Sequence, residues 1–158
     1  MKSIYLQATI LECSHDELSA ADQQLIAQAI AATDNSYAPY SHFHVGAAVR
    51  LQSGEVVMGC NQENASFPVS RCAEHNALNA AAALHPHTPV DTVAIAARDS
   101  SHQLQQEPVV PCGSCRQALL ETEKRFGQPV RLLLYGARCV YVADSAKSLL
   151  PLAFTDFE

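Results

Sequence analysis

Two short segments hold the residues with the most chemistry in them, Cys72-Ala73-Glu74 and Pro111-Cys112-Gly113-Ser114-Cys115. Cys72, Cys112 and Cys115 offer three thiolates, the donor type that zinc favours. A catalytic zinc takes three protein ligands and leaves a fourth position to water, whereas a structural zinc is closed by four. Glu74 is then a carboxylate surplus to the ligand set, two residues from Cys72 and able to share its cavity. A carboxylate in that place can take a proton from an activated water and hand it on, which is hydrolytic chemistry. The same stretch supports one other assignment. With His75 as fourth ligand, Cys72, His75, Cys112 and Cys115 make a closed structural site in a non-catalytic zinc-binding protein.

The elements that must position these residues follow from periodicity. Leu18, Ala21, Leu25, Ile26, Ala29, Ile30 and Thr33 recur at helical spacing, with Ser19 or Ser14 available as cap. Tyr37-Ala38-Pro39-Tyr40-Ser41 breaks that helix. Two strand-like runs follow, Val45 to Leu51 and Val56 to Gln62, joined through Ser53-Gly54 as a hairpin. The alanine-rich run from Cys72 to Leu84 predicts a second helix ending before Pro86. Asp91 to Ala97 reads as a strand, Gly113 to Phe126 as a third helix stopped by Gly127, and Val130 to Gly136 as a buried strand. Val140 to Ala143 adds another strand, and a helical turn near Ala146 to Leu150 precedes a loosely structured tail. Strands alternating with helices predict α/β layering with parallel pairs. Both cysteine clusters fall at predicted helix N-termini, where first-turn amides and the helix dipole favour thiolate. A helix and a strand separate Cys72 from Cys112, which is one crossover unit, so both can reach the same edge of a sheet.

Bulk properties bound the partners. The 158 residues predict one domain, 1–158, large enough for its own core. Ten Lys plus Arg against sixteen Asp plus Glu give a formal net charge of -6, and the cations are scattered. A protein that grips several phosphates shows a basic stripe, so a small neutral molecule is expected in preference to nucleic acid. No apolar run reaches membrane-spanning length, and the opening residues lack the apolar core of a signal peptide, which predicts a cytoplasmic protein without a membrane partner. In that compartment Cys-x-x-Cys favours metal over disulfide. Cys13, Cys60 and Cys139 are left as buried small hydrophobes.

From about Ser36 to Phe154 the chain resembles the homotetrameric zinc-dependent cytidine deaminases. Five blocks carry the resemblance in order: Tyr37-Ala38-Pro39-Tyr40-Ser41-His42-Phe43-His44-Val45-Gly46-Ala47-Ala48, Gly59 to Phe67, Cys72-Ala73-Glu74, Pro111 to Gln117, and Leu149 to Phe154. Cys-x-Glu followed by Pro-Cys-x-x-Cys is a recognised signature of the zinc nucleobase deaminases. The resemblance implies a three-layer α/β/α sandwich around a mixed five-stranded sheet, a homotetramer with sites completed by neighbouring subunits, and one Zn2+ per subunit. Cys72, Cys112 and Cys115 match the zinc ligands and Glu74 the proton shuttle. Phe43 matches the aromatic residue lining the base pocket, Asn61 and Glu63 the pair that bonds the ribose hydroxyls, Ala65 a backbone contact to the base, and Phe154 an aromatic residue reaching into a neighbour's site. The implied reaction is hydrolytic deamination of cytidine and 2'-deoxycytidine, extended to 4-substituted pyrimidine nucleosides by a reshaped site. The reshaping would come from His75, which stands where the family places an Arg that donates to zinc-bound sulfur. Arg71, just before Cys72, is the other cation close enough to serve that purpose.

Overall fold

The computed structural model describes residues 1–155. Its centre is a six-stranded sheet of β1 (Leu11–Cys13), β2 (His44–Leu51), β3 (Val56–Cys60), β4 (Val90–Arg98), β5 (Arg131–Tyr135) and β6 (Val140–Ala143), ordered β1-β6-β5-β4-β2-β3. Helix α1 (Ala20–Ala32) covers one face, and α2 (Ala73–Leu84) and α3 (Gly113–Phe126) cover the other. This is the expected three-layer α/β/α sandwich on a mixed sheet.

Alternation along the strands explains the layering. Val49, Val93, Ile95, Leu132 and Leu134 pack toward α2 and α3, meeting Ala77, Leu78, Ala81 and Leu119. Their neighbours Ala48, Ala94, Ala96 and Leu133 point the other way and meet Leu25, Ile26 and Ala29 of α1. A strand buried on both sides must be apolar at every position, as Val93 to Ala97 is. The expected Ser19 is the cap of α1, its Oγ accepting from the amide of Asp22, while Ser14 caps a short 3-10 turn at His15–Glu17 instead.

Three expectations are corrected. The sheet has six strands, not five, because the end of the N-terminal arm pairs as the three-residue β1 on the edge of β6. Only β4 and β5 are parallel neighbours, because β2 lies between β3 and β4 and runs antiparallel to both. The crossover through α2 therefore joins two like-directed strands that do not touch. Cys13, Cys60 and Cys139 are half-buried rather than buried.

Two close approaches set where the cysteines arrive. A Cβ on Gly59 would lie 2.4 Å from the Ala77 amide nitrogen and 2.7 Å from the Ala73 carbonyl oxygen, so the first turns of α2 rest directly on β3. A Cβ on Gly136 would lie 2.4 Å from the Glu107 carbonyl carbon. This contact lets the loop before Cys112 run across the end of β5, where the Val109 amide bonds the Tyr135 carbonyl at 3.2 Å.

Helix α1 is fastened by charge as well as by packing. Asp22 is buried and accepts from Arg50 Nη1 at 3.1 Å and Arg131 Nη1 at 2.7 Å, while Arg50 also donates to Asp91 and Thr92. Burial opposes the Asp22 charge, but hydrogen bonds from Arg131, Ser19 and Arg50 outweigh it and hold the carboxyl below its usual range. A carboxyl depressed in this way adds stability above the unfolded value of about 3.9, and loses that increment as pH falls through the lower folded value. Asp22→Asn should cost about 2 kcal/mol of unfolding free energy at neutral pH, because two part-buried guanidinium groups then face an amide. Urea melts should show the difference narrowing once pH drops below about 4; coincident melts at neutral pH would show that the network does not hold α1.

Candidate metal centre and active site

Helices α2 and α3 begin at the same edge of the sheet because each follows one of the two like-directed strands β3 and β4. Cys72 is the N-cap of α2, Cys112 is the N-cap of α3, and Cys115 lies in the first turn of α3. Cys72 and Cys112 sulfurs are 3.9 Å apart and those of Cys112 and Cys115 3.5 Å, with all three sulfurs within 4.8 Å of one another. Around a tetrahedral zinc with Zn–S near 2.3 Å the sulfur–sulfur edge is about 3.8 Å, so the triad fits that ion. An all-sulfur set is ill suited to calcium or magnesium, which select oxygen.

Electrostatics prepare the triad for a cation. The hydrogen bond from Cys115 is the largest influence on the Cys72 thiol and lowers it; burial and Glu74 raise it, Cys112 and His75 lower it, and the result is about 6. The same bond, with burial, pushes the Cys115 thiol up.

Glu74, in the first turn of α2, is 4% exposed. Burial, the largest influence, raises its carboxyl above the ordinary range against the opposing effects of its own amide, Cys115 and His75. His75 does not join the cysteines: its Nε2 lies 3.4 Å from Ser114 Oγ, and the metal-capable cluster among the described residues is Cys72, Cys112 and Cys115. The closed four-ligand arrangement is thus not the one adopted. Arg71 also differs from expectation, donating from Nη1 to the carbonyls of Pro68, Val69 and Ser70 in its own loop instead of to sulfur.

The residues expected around a substrate have backbone partners that the sequence did not reveal. Asn61 extends the hairpin with its side chain, Oδ1 accepting from the Val45 amide at 2.8 Å and Nδ2 donating to the Phe43 carbonyl at 2.9 Å. One acceptor site on Oδ1 and one hydrogen on Nδ2 remain. Glu63 Oε2 accepts from the amides of Tyr40 at 2.9 Å and Ser41 at 3.2 Å. Burial is the largest influence on Glu63 and opposes its charge, yet these bonds hold its carboxyl below the ordinary range. Phe43 is half-buried at the mouth of β2 and Ala65 is exposed in the loop after β3. Phe154 is 61% exposed, and its carbonyl accepts from Gln117 Nε2 at 2.7 Å. The hairpin register pairs Gly46 with Cys60 and so places Asn61 opposite Val45.

Residues 19–126 match the family model described as the cytidine and deoxycytidylate deaminase zinc-binding region. A cytidine deaminase of Halalkalibacterium halodurans is 43% identical over 99 residues, which span 63% of this chain and 70% of that protein. The crystal structure of cytidine deaminase from Burkholderia pseudomallei aligns with a TM-score of 0.71 at 39% identity, covering 83% of this chain and 97% of that one. The cytidine deaminase of Mycobacterium tuberculosis aligns with a TM-score of 0.65 at 31% identity, over 87% and 99% of the two chains.

The triad makes a direct test possible. Protein reconstituted with zinc under reducing conditions should retain close to one equivalent per chain, measured with a metal indicator after mercurial release. Cys112→Ala and Cys72→Ala should each retain much less, since two thiolates are too few to hold the ion. Undiminished retention by either variant would remove that residue from the ligand set.

Proposed function

Since this chain belongs to the cytidine and deoxycytidylate deaminase zinc-binding family, we propose that it converts cytidine and 2'-deoxycytidine to the corresponding uridines with release of ammonia. The observation that carries this reading is an incomplete ligand set beside a buried acid: three sulfurs converge, His75 lies against Ser114, and Glu74, two residues from Cys72, is buried in the first turn of α2. When bound, zinc would be held by Cys72, Cys112 and Cys115, and it lowers the pKa of a water molecule to about 7. Glu74 accepts a proton of the incoming water and delivers it to ring nitrogen N3, which makes C4 electrophilic. Water oxygen adds at C4, a second proton passes through Glu74 to the amine, ammonia leaves, and a carbonyl remains. The reaction consumes one water and exchanges an amine for an oxygen.

Asn61 and Glu63 are assigned to the sugar. Each is already oriented by the backbone it holds, which is how a substrate contact is kept from collapsing when the site is empty. The spare amide hydrogen of Asn61 and the Oε1 of Glu63 complement a neutral diol, and the carboxylate repels a phosphate. Phe43 and the backbone of Ala65 are assigned to the base, and Phe154 to the site of a neighbouring copy in a homotetramer. His75 is shorter than an arginine, which leaves room for 4-substituted pyrimidine nucleosides. His75 is assigned to the surroundings of the metal, whereas Arg71 holds the loop before Cys72. The net charge of -6 supports a free nucleoside over nucleic acid. Among the described residues no helix is long and apolar enough to cross a membrane. A single catalytic domain acting in the cytoplasm completes the proposal.

Two measurements test it. Glu74→Gln keeps the shape of the side chain and removes its proton traffic, so zinc should remain while turnover of cytidine falls by roughly 10²–10⁴-fold; near-wild-type turnover would refute the assigned mechanism. Cytidine should be preferred to cytosine, because a base without ribose leaves the remaining polar atoms of Asn61 and Glu63 desolvated and unpaired. Comparable kcat/KM for the two would show that these residues do not read the sugar.

A further inference from the structure

Arg116 follows Cys115 in the first turn of α3, yet its side chain makes no contribution to the helix. Its Nε donates to the carbonyl of Pro111 at 2.8 Å and its Nη1 to the carbonyl of Leu149 at 2.9 Å. Pro111 is buried, and its carbonyl is the last backbone acceptor before Cys112. Leu149 closes the 3-10 turn Ala146–Leu149, after which the chain runs to Thr155 without helix or strand. The adjacent Gln117 holds the far end of that stretch through the Phe154 carbonyl at 2.7 Å. A guanidinium is a rigid plane with donors in fixed directions, so seating one edge on Pro111 aims the other at Leu149.

We propose that Arg116 is a positioning residue that couples the metal loop to the C-terminal segment. It fixes the Pro111–Cys112 turn in the conformation that brings Cys112 sulfur within 3.9 Å of Cys72, and the same plane fixes the entry to the C-terminal stretch. The coupling is reciprocal: whatever steadies Cys112 steadies residues 149–155, and whatever holds that segment in place steadies Cys112. The inference rests on reading the triad as a zinc site. Its own content is that occupancy of the site is felt by the C-terminal segment through one side chain. A purely electrostatic role, in which the charge of Arg116 offsets the thiolates, predicts instead that lysine would serve as well.

The test uses the full chain, zinc-loaded and zinc-stripped. Zinc transfer to a chromogenic chelator is followed together with hydrogen exchange of peptides covering residues 147–155. In the wild type, stripping should speed exchange of that segment. Arg116→Gln and Arg116→Lys should both release zinc at least roughly tenfold faster, the lower end of what loss of an outer partner costs a metal site. In both, exchange of residues 147–155 should no longer depend on zinc. Gln117→Ala breaks the attachment at Phe154 while leaving the Lys124–Thr155 bond, and should speed exchange there without changing zinc release. Full rescue by lysine, a Gln117→Ala variant that loses zinc as fast as the Arg116 variants, or wild-type exchange indifferent to zinc would each overturn the coupling; the last does so even if the Arg116 variants do not fold. A wild type that takes up no zinc overturns the metal reading and the coupling together, whereas normal uptake with unchanged variants overturns the coupling alone.

Discussion

The arrangement depends on three sulfurs from two helices meeting within one tetrahedral edge, about 3.8 Å for zinc. No single element can satisfy that requirement. Cys112 and Cys115 share one turn, but Cys72 must be delivered by a different helix from a different strand. The topology does this by running β3 and β4 in the same direction on either side of β2, so that the helices after them start at one edge. Close packing then converts a shared edge into contact: the glycine at position 59 lets α2 lie on β3, and that at 136 lets the loop to Cys112 cross β5. Side chains at those positions would move the sulfurs apart by more than the cluster tolerates.

The described chain buries three carboxylates, and their surroundings separate structure from chemistry. Asp22 faces two arginines. Glu123 is enclosed by donors, accepting from the amides of Val130 at 2.8 Å and Ala146 at 2.6 Å and from Ser145 Oγ at 2.9 Å, which ties the end of α3 to β5 and to the turn after β6. Both have their oxygens met by donors. Glu74 has neither an arginine nor a lysine among the groups acting on it, and burial holds it toward the protonated form. A buried acid with no arginine or lysine beside it costs stability, and its place beside the triad gives a reason for bearing that cost. Burial of an acid is therefore uninformative here until its donors are counted.

Much of this was legible in the sequence, and the exceptions share a cause. The helices from Ala20, Ala73 and Gly113 declared themselves through apolar spacing, Ser19 and Gly127, and the metal triad through ligand type and spacing. All of these are local signals. The opening dozen residues read only as an extended, strand-like arm, because three residues are too few to show a period and the pairing of β1 depends on Val140 to Val142, far along the chain. Asn61 and Glu63 were legible as polar residues near a turn but not as clamps on the segment from Tyr40 to Val45, because hydrogen bonds from side chain to distant backbone leave no composition signature. The partners of His75 and Arg71 were hidden likewise. Position suggested that both face the thiolates, whereas Ser114 and the carbonyls of Pro68 to Ser70 offered nearer bonds.

The exposure of the site argues for cover from outside the chain. Glu74 and Cys115 are buried, yet Cys112 lies at the surface. The loops joined to the site also expose aromatic side chains: Phe67 is 67% exposed and Tyr40 48%, and the two rings meet edge to face at 5.7 Å. The backbone links this patch to the site on both sides, because Glu63 holds the Tyr40 amide and Arg71, next to Cys72, holds the Pro68 carbonyl. Proton transfer between a carboxyl and a ring nitrogen is favoured where bulk water is excluded. Within the single chain Glu74 is already buried, whereas Cys112 is open to solvent. Exposed aromatics in the loops joined to the site are the kind of surface that a second protein surface covers, and the same cover would shield the open Cys112 edge. That is the physical reason for the proposed subunit assembly: it completes the solvent exclusion that the buried acid begins.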